Sequence, residues 1–347
     1  MAEQRVEQNS VRVAVTQAEP EWLDLQASVA KTCKLIAEAA SQRAELVSFP
    51  ECWIPGYPAW IWSRLLDFEM ICAYQANSLA VASVEMKTIQ ACAKDHQITV
   101  ALSFAERSRH SLYISQCTIS DSGEILMLRR KLMPTHMERT VFGNSSGSSL
   151  TNVVSTKFGQ LGQLACWEHA QPLLKYHTIT QNETCHVAAW PPVHPFASEP
   201  DEVWSMSKEG MKLIPCPCPL AGNKTDLFAI LGTQTLSRAY AIEAGSFVLH
   251  TTAVITQKGI DRMNTKQGPL MSVSGGGSSA IFGPDGRKLS TDIPDTEEGI
   301  IYADLSMSQI FRHKALLDVI GHYSRPDLLW LGVDKTEKVC VRPFQAT

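Results

Sequence analysis

Val11, Val13 and Val15 alternate with Arg12, Ala14 and Thr16, a period of two that turns one face of a strand toward a core. From Asp24 to Ala44 the period changes. Val29, Cys33, Ile36 and Ala40 recur at helical spacing while Lys31, Lys34, Glu38 and Arg43 lie off that stripe, which predicts an amphipathic helix. Leu46 to Phe49 reads as a buried strand ended by Pro50, Ser83 to Lys94 as a helix, and Ile98 to Phe104 as a strand. Leu112 to Ile119 alternates, Asp121-Ser122-Gly123 turns the chain, and Ile125 to Leu128 returns as the second arm of a hairpin. Further strands are predicted over Leu161–Ala165, His186–Trp190, Phe247–Ala253, Ser279–Phe282 and Gly299–Asp304. Helices are predicted over Ala170–Thr180, Thr235–Ala244 and Gln309–Ile320. This interleaving makes the fold class α/β.

No compositional shift or short-period repeat divides the 347 residues, so a single domain over 1–347 is expected, with a core of about 11–305 and a C-terminal extension over 306–347. The exception is Pro191 to Gly232, whose prolines, Cys216-Pro217-Cys218-Pro219 and Gly222-Asn223 suggest an irregular surface excursion. With 44% hydrophobic and 19% charged residues the chain has ample material for a core. A net charge of -4 with both signs scattered offers no basic field to nucleic acid or to a membrane surface. Met1 to Ser10 is polar and no later run is long enough to span a bilayer, so a cytoplasmic protein is expected. Of ten cysteines, Cys33, Cys72, Cys92, Cys117 and Cys185 sit among apolar or small neighbours and read as reduced core residues. The triplets beginning at Asn144, Asn182 and Asn223 carry little weight as glycosylation sites without a secretory signal.

Three segments can carry chemistry. In Phe49-Pro50-Glu51 a buried strand delivers a carboxylate at its C-terminal end, where open α/β sheets bind ligands. Alone, such a glutamate is ordinarily a surface loop residue. Here Trp53, Pro55, Tyr57, Pro58, Trp60 and Trp62 follow, an aromatic run suited to walling a pocket in which a desolvated carboxylate gains basicity. Arg129-Arg130-Lys131 is a weak signal alone, since basic residues after a hairpin usually form a solvated face. In Gly162-Gln163-Leu164-Ala165-Cys166-Trp167-Glu168-His169 a strand ends at a cysteine just before a predicted helix, whose N-terminus would stabilise a thiolate. The bland alternative is an inert buried thiol, but Glu168 and His169 argue against a purely apolar setting.

Together these segments resemble the nitrilase branch of the carbon–nitrogen hydrolase superfamily. The resemblance runs through residues 49–58, 129–138, 166–169, 188–191, 238–243, 275–286 and 321–329, and the last two blocks look most like fungal nitrilases, arylacetonitrilases included. It implies a four-layer α-β-β-α sandwich that dimerises and can extend into spirals or filaments. It also implies Glu51 as general base, Lys131 as electrostatic stabiliser, Cys166 as nucleophile and Glu138 as a supporting carboxylate. Two carboxylates beside one thiolate repel unless Lys131 lies between them, which is a geometric demand on the structure. Tyr57, Trp167, Glu168 and Trp190 are the expected substrate contacts. The substrate implied is a small organic nitrile, arylaliphatic by the aromatic surroundings, with no metal and no cofactor. His169 replaces the asparagine usual in the related cyanide hydratases, which tilts the reading toward a nitrilase; cyanide hydratase or amide-forming nitrile hydrolysis in the same fold is the alternative.

Three further readings compete. Gly143-Asn144-Ser145-Ser146-Gly147 fits the serine-hydrolase pattern, but no apolar strand leads into it and no helix follows. His136-Met137-Glu138 with Pro215-Cys216-Pro217-Cys218 approaches the zinc-deaminase signature, one residue short between the cysteines. A binding protein that kept the fold and lost activity would not be expected to retain all three of Glu51, Lys131 and Cys166.

Overall fold

The computed structural model describes residues 10–64, 66–193, 232–339 and 341. Strand β1 (Ser10–Ala18) runs through the middle of the molecule. Its alternation divides two cores: Val13 and Val15 face a second sheet, while Ala14 and Ala18 pack under helices. Helix α1 (Leu25–Ser41) follows, started by the Asp24 side chain accepting from the Ala27 amide at 2.9 Å. β2 (Leu46–Ser48), α2 (Phe68–Asn77), α3 (Val84–Asp95) and β3 (Thr99–Ser108) come next, then β4 (Ser111–Ile119) and β5 (Ile125–Arg130). The second half comprises β6 (Val153–Thr156), β7 (Gly159–Ala165), α4 (Pro172–Ile179), β8 (Cys185–Ala189), α5 (Gly232–Ala244) and β9 (Phe247–Ala253). α6 (Gln257–Met263), β10 (Ala280–Phe282), β11 (Gly299–Ser306) and α7 (Ser308–Lys314) close it.

The first sheet has the order β5-β4-β3-β2-β1 with β11 antiparallel on β1; the second runs β9-β8-β7-β6 with β10 antiparallel on β9. Two rungs, Gln17 with Thr252 and Ala18 with Ala253, stitch the sheets together. Between them lies a core that includes Val13, Val15, Leu46, Leu161, Val187, Phe247 and Ile281. α1 and α3 cover the outer face of the first sheet through Ile36, Ala39, Met86 and Ile89. α4 and α5 cover the second through Leu174, Ile179, Tyr240 and Ala241. Helix, sheet, sheet, helix: this is the expected four-layer sandwich. Strands β1, β2 and β3 are mutually parallel, as are β7, β8 and β9. Two antiparallel steps return β5 to the direction of β3, so β2, β5, β7 and β8 all deliver their C-terminal ends to one edge.

Strands and long helices form close to their predicted bounds. α2, α6 and β6 are absent from the sequence reading for a common reason, since none carries a clear stripe: in α2 only Tyr74 is buried while Phe68 is exposed. α7 is shorter than predicted, ending at Lys314 rather than running to Ile320. There the Asp318 side chain accepts from the Gly321 amide, a local turn that competes with helix. Cys117 and Cys185 are buried as expected, but Cys33 and Cys92 are only half-buried and Cys72 is exposed. No helix among the described residues is long and apolar enough to cross a membrane. Of the excursion expected over Pro191 to Gly232, residues 194–231 lie outside the described residues.

Candidate active site

Glu51, Lys131 and Cys166 each stand one to three residues past a strand, at the shared C-terminal edge of β2, β5 and β7. All three are buried, as is Glu138. Lys131 Nζ donates to Glu51 Oε1 and to Glu138 Oε2, at 2.8 Å each. Carboxylate oxygens of Glu51 and Glu138 and the Cys166 sulfur all lie within 4.8 Å of one another. The geometric demand on Lys131 is met: its ammonium sits between the carboxylates. Glu51 is anchored by its backbone amide donating to the Trp190 carbonyl, which ties the end of β2 to the end of β8. Its Oε2 has no hydrogen-bond partner, which leaves one lone-pair face of a buried carboxylate free for a proton.

Burial is the dominant electrostatic influence. It pushes Glu51 up to about 7, with Lys131 opposing the rise and the nearby Glu138 adding to it. The Cys166 thiol is raised well above its ordinary value by burial and then by Glu51, against the pull of Lys131 and the Trp167 amide. This corrects the expectation of a thiolate stabilised by a helix N-terminus. Cys166 opens a 3₁₀ turn (Cys166–Ala170), and α4 begins only at Pro172, so a single turn's amide replaces a helix dipole. Burial works against the Lys131 charge, but Glu138 and Glu51 outweigh it and hold the ammonium well above its ordinary value. The resting site is therefore a thiol, a cationic lysine and a glutamate poised to titrate near neutrality.

Three site residues hold positive φ: Cys52 at 52°, His136 at 42° and Cys166 at 50°. Each costs on the order of 1–2 kcal/mol for a residue with a Cβ, strain that the surrounding structure has to hold in place. For the segment after Lys131, Glu138 reaches back over the 3₁₀ turn His136–Thr140: the Thr135 amide donates to Glu138 Oε2 at 2.7 Å, and the Glu138 amide donates to the Thr135 carbonyl at 2.8 Å. Tyr57 Oη donates to Glu138 Oε1 at 3.0 Å and accepts from Trp62 Nε1 at 3.2 Å.

Of the expected substrate contacts, Trp167 and Trp190 border a narrow pocket on Cys166 together with Pro191, Pro192, Val193 and Thr233. Their rings meet edge to face at 5.9 Å, and the Trp190 indole nitrogen has no hydrogen-bond partner. Trp167 also borders a cavity of about 540 Å³ lined by Leu132, Pro134, Leu174 and Leu331 among others. Glu168 sits differently. Both its oxygens take the Arg129 guanidinium, at 2.7 and 2.8 Å, while Oε1 also accepts from the Leu132 amide and Oε2 from the Ala165 amide. One carboxylate thus fastens the residue after Lys131 to the residue before Cys166, and those donors hold it below the ordinary range despite burial. Arg129 was not singled out by the sequence. Its signal was positional: in β5 it shares the inward face with Met127 while Leu126 and Leu128 point out.

The competing motifs fare less well. Glu138 of the H-x-E triplet is engaged by Lys131, His136 stacks on Trp62 at 5.8 Å, and Cys216 and Cys218 lie outside the described residues. Glu51, Glu138 and Cys166 form a set that could ligate a metal ion, yet Lys131 already brings a positive charge within 2.8 Å of both carboxylates. Among the described residues, the Ser145 hydroxyl of the G-x-S-x-G match bonds to the Ser146 carbonyl and the Ser149 hydroxyl.

A family model described as carbon-nitrogen hydrolase matches residues 12–314. The chain belongs to the carbon–nitrogen hydrolase family. Within it, the chain is 56% identical to an arylacetonitrilase of Aspergillus kawachii over 98% of this chain and 96% of that protein. It is 57% identical to one of Aspergillus niger over the same shares. Among solved structures, a carbon–nitrogen hydrolase of Helicobacter pylori superposes with a TM-score of 0.65 at 16% identity, covering 89% of this chain and 93% of that one. An amidase of Nesterenkonia sp. AN1 gives 0.56 at 20%, covering 89% and 98%. At such identities these structures speak for the family's sandwich fold alone.

Proposed function

We propose that this carbon–nitrogen hydrolase is a nitrilase that converts arylacetonitriles to the carboxylic acid and ammonia, with Cys166 as nucleophile. The observation that carries the chemistry is Lys131 Nζ held between Glu51 and Glu138 beside the Cys166 sulfur. Identity of 56–57% to fungal arylacetonitrilases along almost the whole chain supports the substrate class. Glu51 takes the thiol proton through its free oxygen as sulfur attacks the nitrile carbon, and passes it to nitrogen, giving a thioimidate. Glu51 then draws a proton from a water that adds to the same carbon and hands it to nitrogen, and the proton of the new hydroxyl follows by the same route as the C=O bond forms. Lys131 and the Trp167 amide offset the charge that develops on the substrate heteroatom. Ammonia leaves with breakage of the C–N bond, and a second water hydrolyses the thioester and restores the thiol. If the C–S bond breaks first, amide is released. Trp167 and Trp190 are assigned to the aryl group.

Phenylacetonitrile should yield phenylacetate and ammonia in equal amounts, and Cys166→Ala should yield neither. Activity confined to cyanide, or ammonia release undiminished in Cys166→Ala, would overturn the reading. Self-association belongs to the same proposal, and the protein is assigned to the cytoplasm. Phe311, Leu316, Leu328, Leu329 and Trp330 are exposed from α7 onward, apolar side chains that a second copy would cover. Sedimentation at micromolar concentration should give a dimer or larger; a monomer would remove that part.

A further inference from the structure

Behind Cys166, on the side away from Glu51 and Lys131 in the hydrogen-bond network, lies a second set of buried polar groups that the reaction does not use. His169 Nδ1 is 2.7 Å from the Cys166 carbonyl oxygen, and its Nε2 is 3.0 Å from His186 Nε2. His186 Nδ1 is 2.7 Å from Glu183 Oε2, and Tyr240 Oη donates to Glu183 Oε1. All four side chains are buried. His169 is stacked on Trp190 at 5.3 Å, and the His186 ring lies 4.1 Å from that of Tyr240.

The proton positions follow from which atoms can donate. A carbonyl only accepts, so His169 carries its proton on Nδ1; burial, with His186 adding to it, keeps that ring neutral, which makes Nε2 an acceptor. His186 therefore donates from Nε2, and its Nδ1 shares one proton with Glu183. Burial and Glu183 keep the Tyr240 phenol protonated, so it donates. The chain joins Tyr240 and β8 to the backbone of the nucleophile.

The sequence makes room for this chain. A Cβ on Gly162 of β7, four residues before Cys166, would lie 1.8 Å from Glu183 Oε2 and 3.2 Å from His186 Nδ1. No side chain fits there while the Glu183–His186 pair is in place.

We infer that His169, braced by His186, Glu183 and Tyr240, is a positioning residue: it holds the Cys166 carbonyl, and with it the positive-φ turn that aims the sulfur. The inference rests on the nitrilase reading above. In that chemistry, the direction of the C–S bond in the tetrahedral intermediate decides whether nitrogen or sulfur departs, and small displacements shift the outcome. Loosening this turn should therefore lower turnover and raise the amide share with little effect on substrate affinity.

The test uses phenylacetonitrile, with acid and amide both quantified. His169→Phe keeps a ring but donates nothing, and should lower kcat at least about 10-fold, with KM within about threefold and a larger amide share. His169→Asn can place its amide N–H on the same carbonyl and should restore kcat to within about threefold of wild type. Gly162→Ala crowds the far end of the chain and should lower kcat in the same manner. A folded His169→Phe with wild-type kcat and product ratio overturns the inference, as does His169→Asn failing as badly as His169→Phe. If His169→Phe does not fold, ¹⁵N spectra of the wild-type imidazoles decide: His169 has to be the Nδ1-protonated tautomer, and an Nε2-protonated or cationic ring overturns it. Wild-type protein inert toward arylacetonitriles is a different result, which strikes the nitrilase reading and not the tautomer assignment.

Discussion

At Glu51, burial does two opposed things at once. It raises the carboxyl from an ordinary 4.5 to about 7, which makes it a stronger base and also makes its ionised form costly. In the proposed mechanism Glu51 has to be ionised to accept the Cys166 proton, so log kcat/KM should rise with unit slope up to about pH 7 and then stay level while Lys131 remains cationic. A midpoint in the ordinary glutamate range, read from a pH profile on phenylacetonitrile, would contradict this. Stability should move the other way. The folded state binds this proton more tightly than the unfolded chain, so the contribution is complete below about 4.5 and is lost as pH rises through about 7. Thermal melts of Glu51→Gln should lack that component, and an unchanged pH dependence of Tm would exclude it. Glu168 poses the converse case. Glu168→Gln leaves the buried Arg129 guanidinium without its counter-charge, and breaking such a pair costs roughly 3–5 kcal/mol. Urea denaturation should show a loss of that order; a change under about 1 kcal/mol would mean the clamp is not holding the site together.

At the scale of elements, the strands that build the edge were legible because their apolar periods are strong: β1, β7, β8 and β9 form within a few residues of their predicted bounds. So were Glu51, Lys131 and Cys166 as strand-end residues, and Glu138 through its resemblance. What stayed hidden lies in elements without a period. The 3₁₀ turns carrying Glu138 and Cys166 take their shape from caps and positive φ, and neither leaves a hydrophobic pattern. The partners of Glu168 and His169 were illegible for another reason: Arg129 lies 39 positions away in sequence and His186 lies 17, so only tertiary contact joins them. The turn His136–Thr140 makes a prediction at this scale. Glu138→Gln can keep its oxygen on the Thr135 amide while its NH2 donates to the Tyr57 hydroxyl instead of accepting from it, so the turn survives, but Lys131 loses one of its two anionic partners. A charge-assisted bond is worth about 2 kcal/mol, so kcat should fall roughly 30-fold while the melting temperature moves by only a few degrees. Equal activity in the variant, measured by ammonia release, would show that Glu51 alone suffices to hold the lysine.

Across the whole molecule the site is divided between two sheets. Glu51 and Lys131 come from the first, Cys166 and Trp190 from the second, and no element carries the set by itself. Their separation is therefore fixed by how the sheets face each other. An apolar interface alone sets that poorly, because dispersion and hydrophobic burial have little directionality. Hydrogen bonds across the interface supply it. Gln116 Nε2 donates to the Leu164 carbonyl, two residues before Cys166, and Gln163 Nε2 donates to Thr118 Oγ1 at 2.7 Å and to the Cys117 carbonyl at 3.2 Å. Ser48, three residues before Glu51, shares a hydrogen bond with Thr251 of β9. Gln163→Leu keeps side-chain volume and apolar packing but leaves the Cys117 carbonyl and the Thr118 hydroxyl without that donor, which costs about 1–3 kcal/mol. If these bonds only stabilise, the folded variant should turn over at the wild-type rate. If they also align the sheets, kcat should fall several-fold in protein that is fully folded at the assay temperature, with KM little changed, since Trp167 and Trp190, the proposed aryl contacts, follow strands of the second sheet and move together with Cys166. We expect the second result, read from kcat and KM at a urea-free temperature well below the variant's melting point.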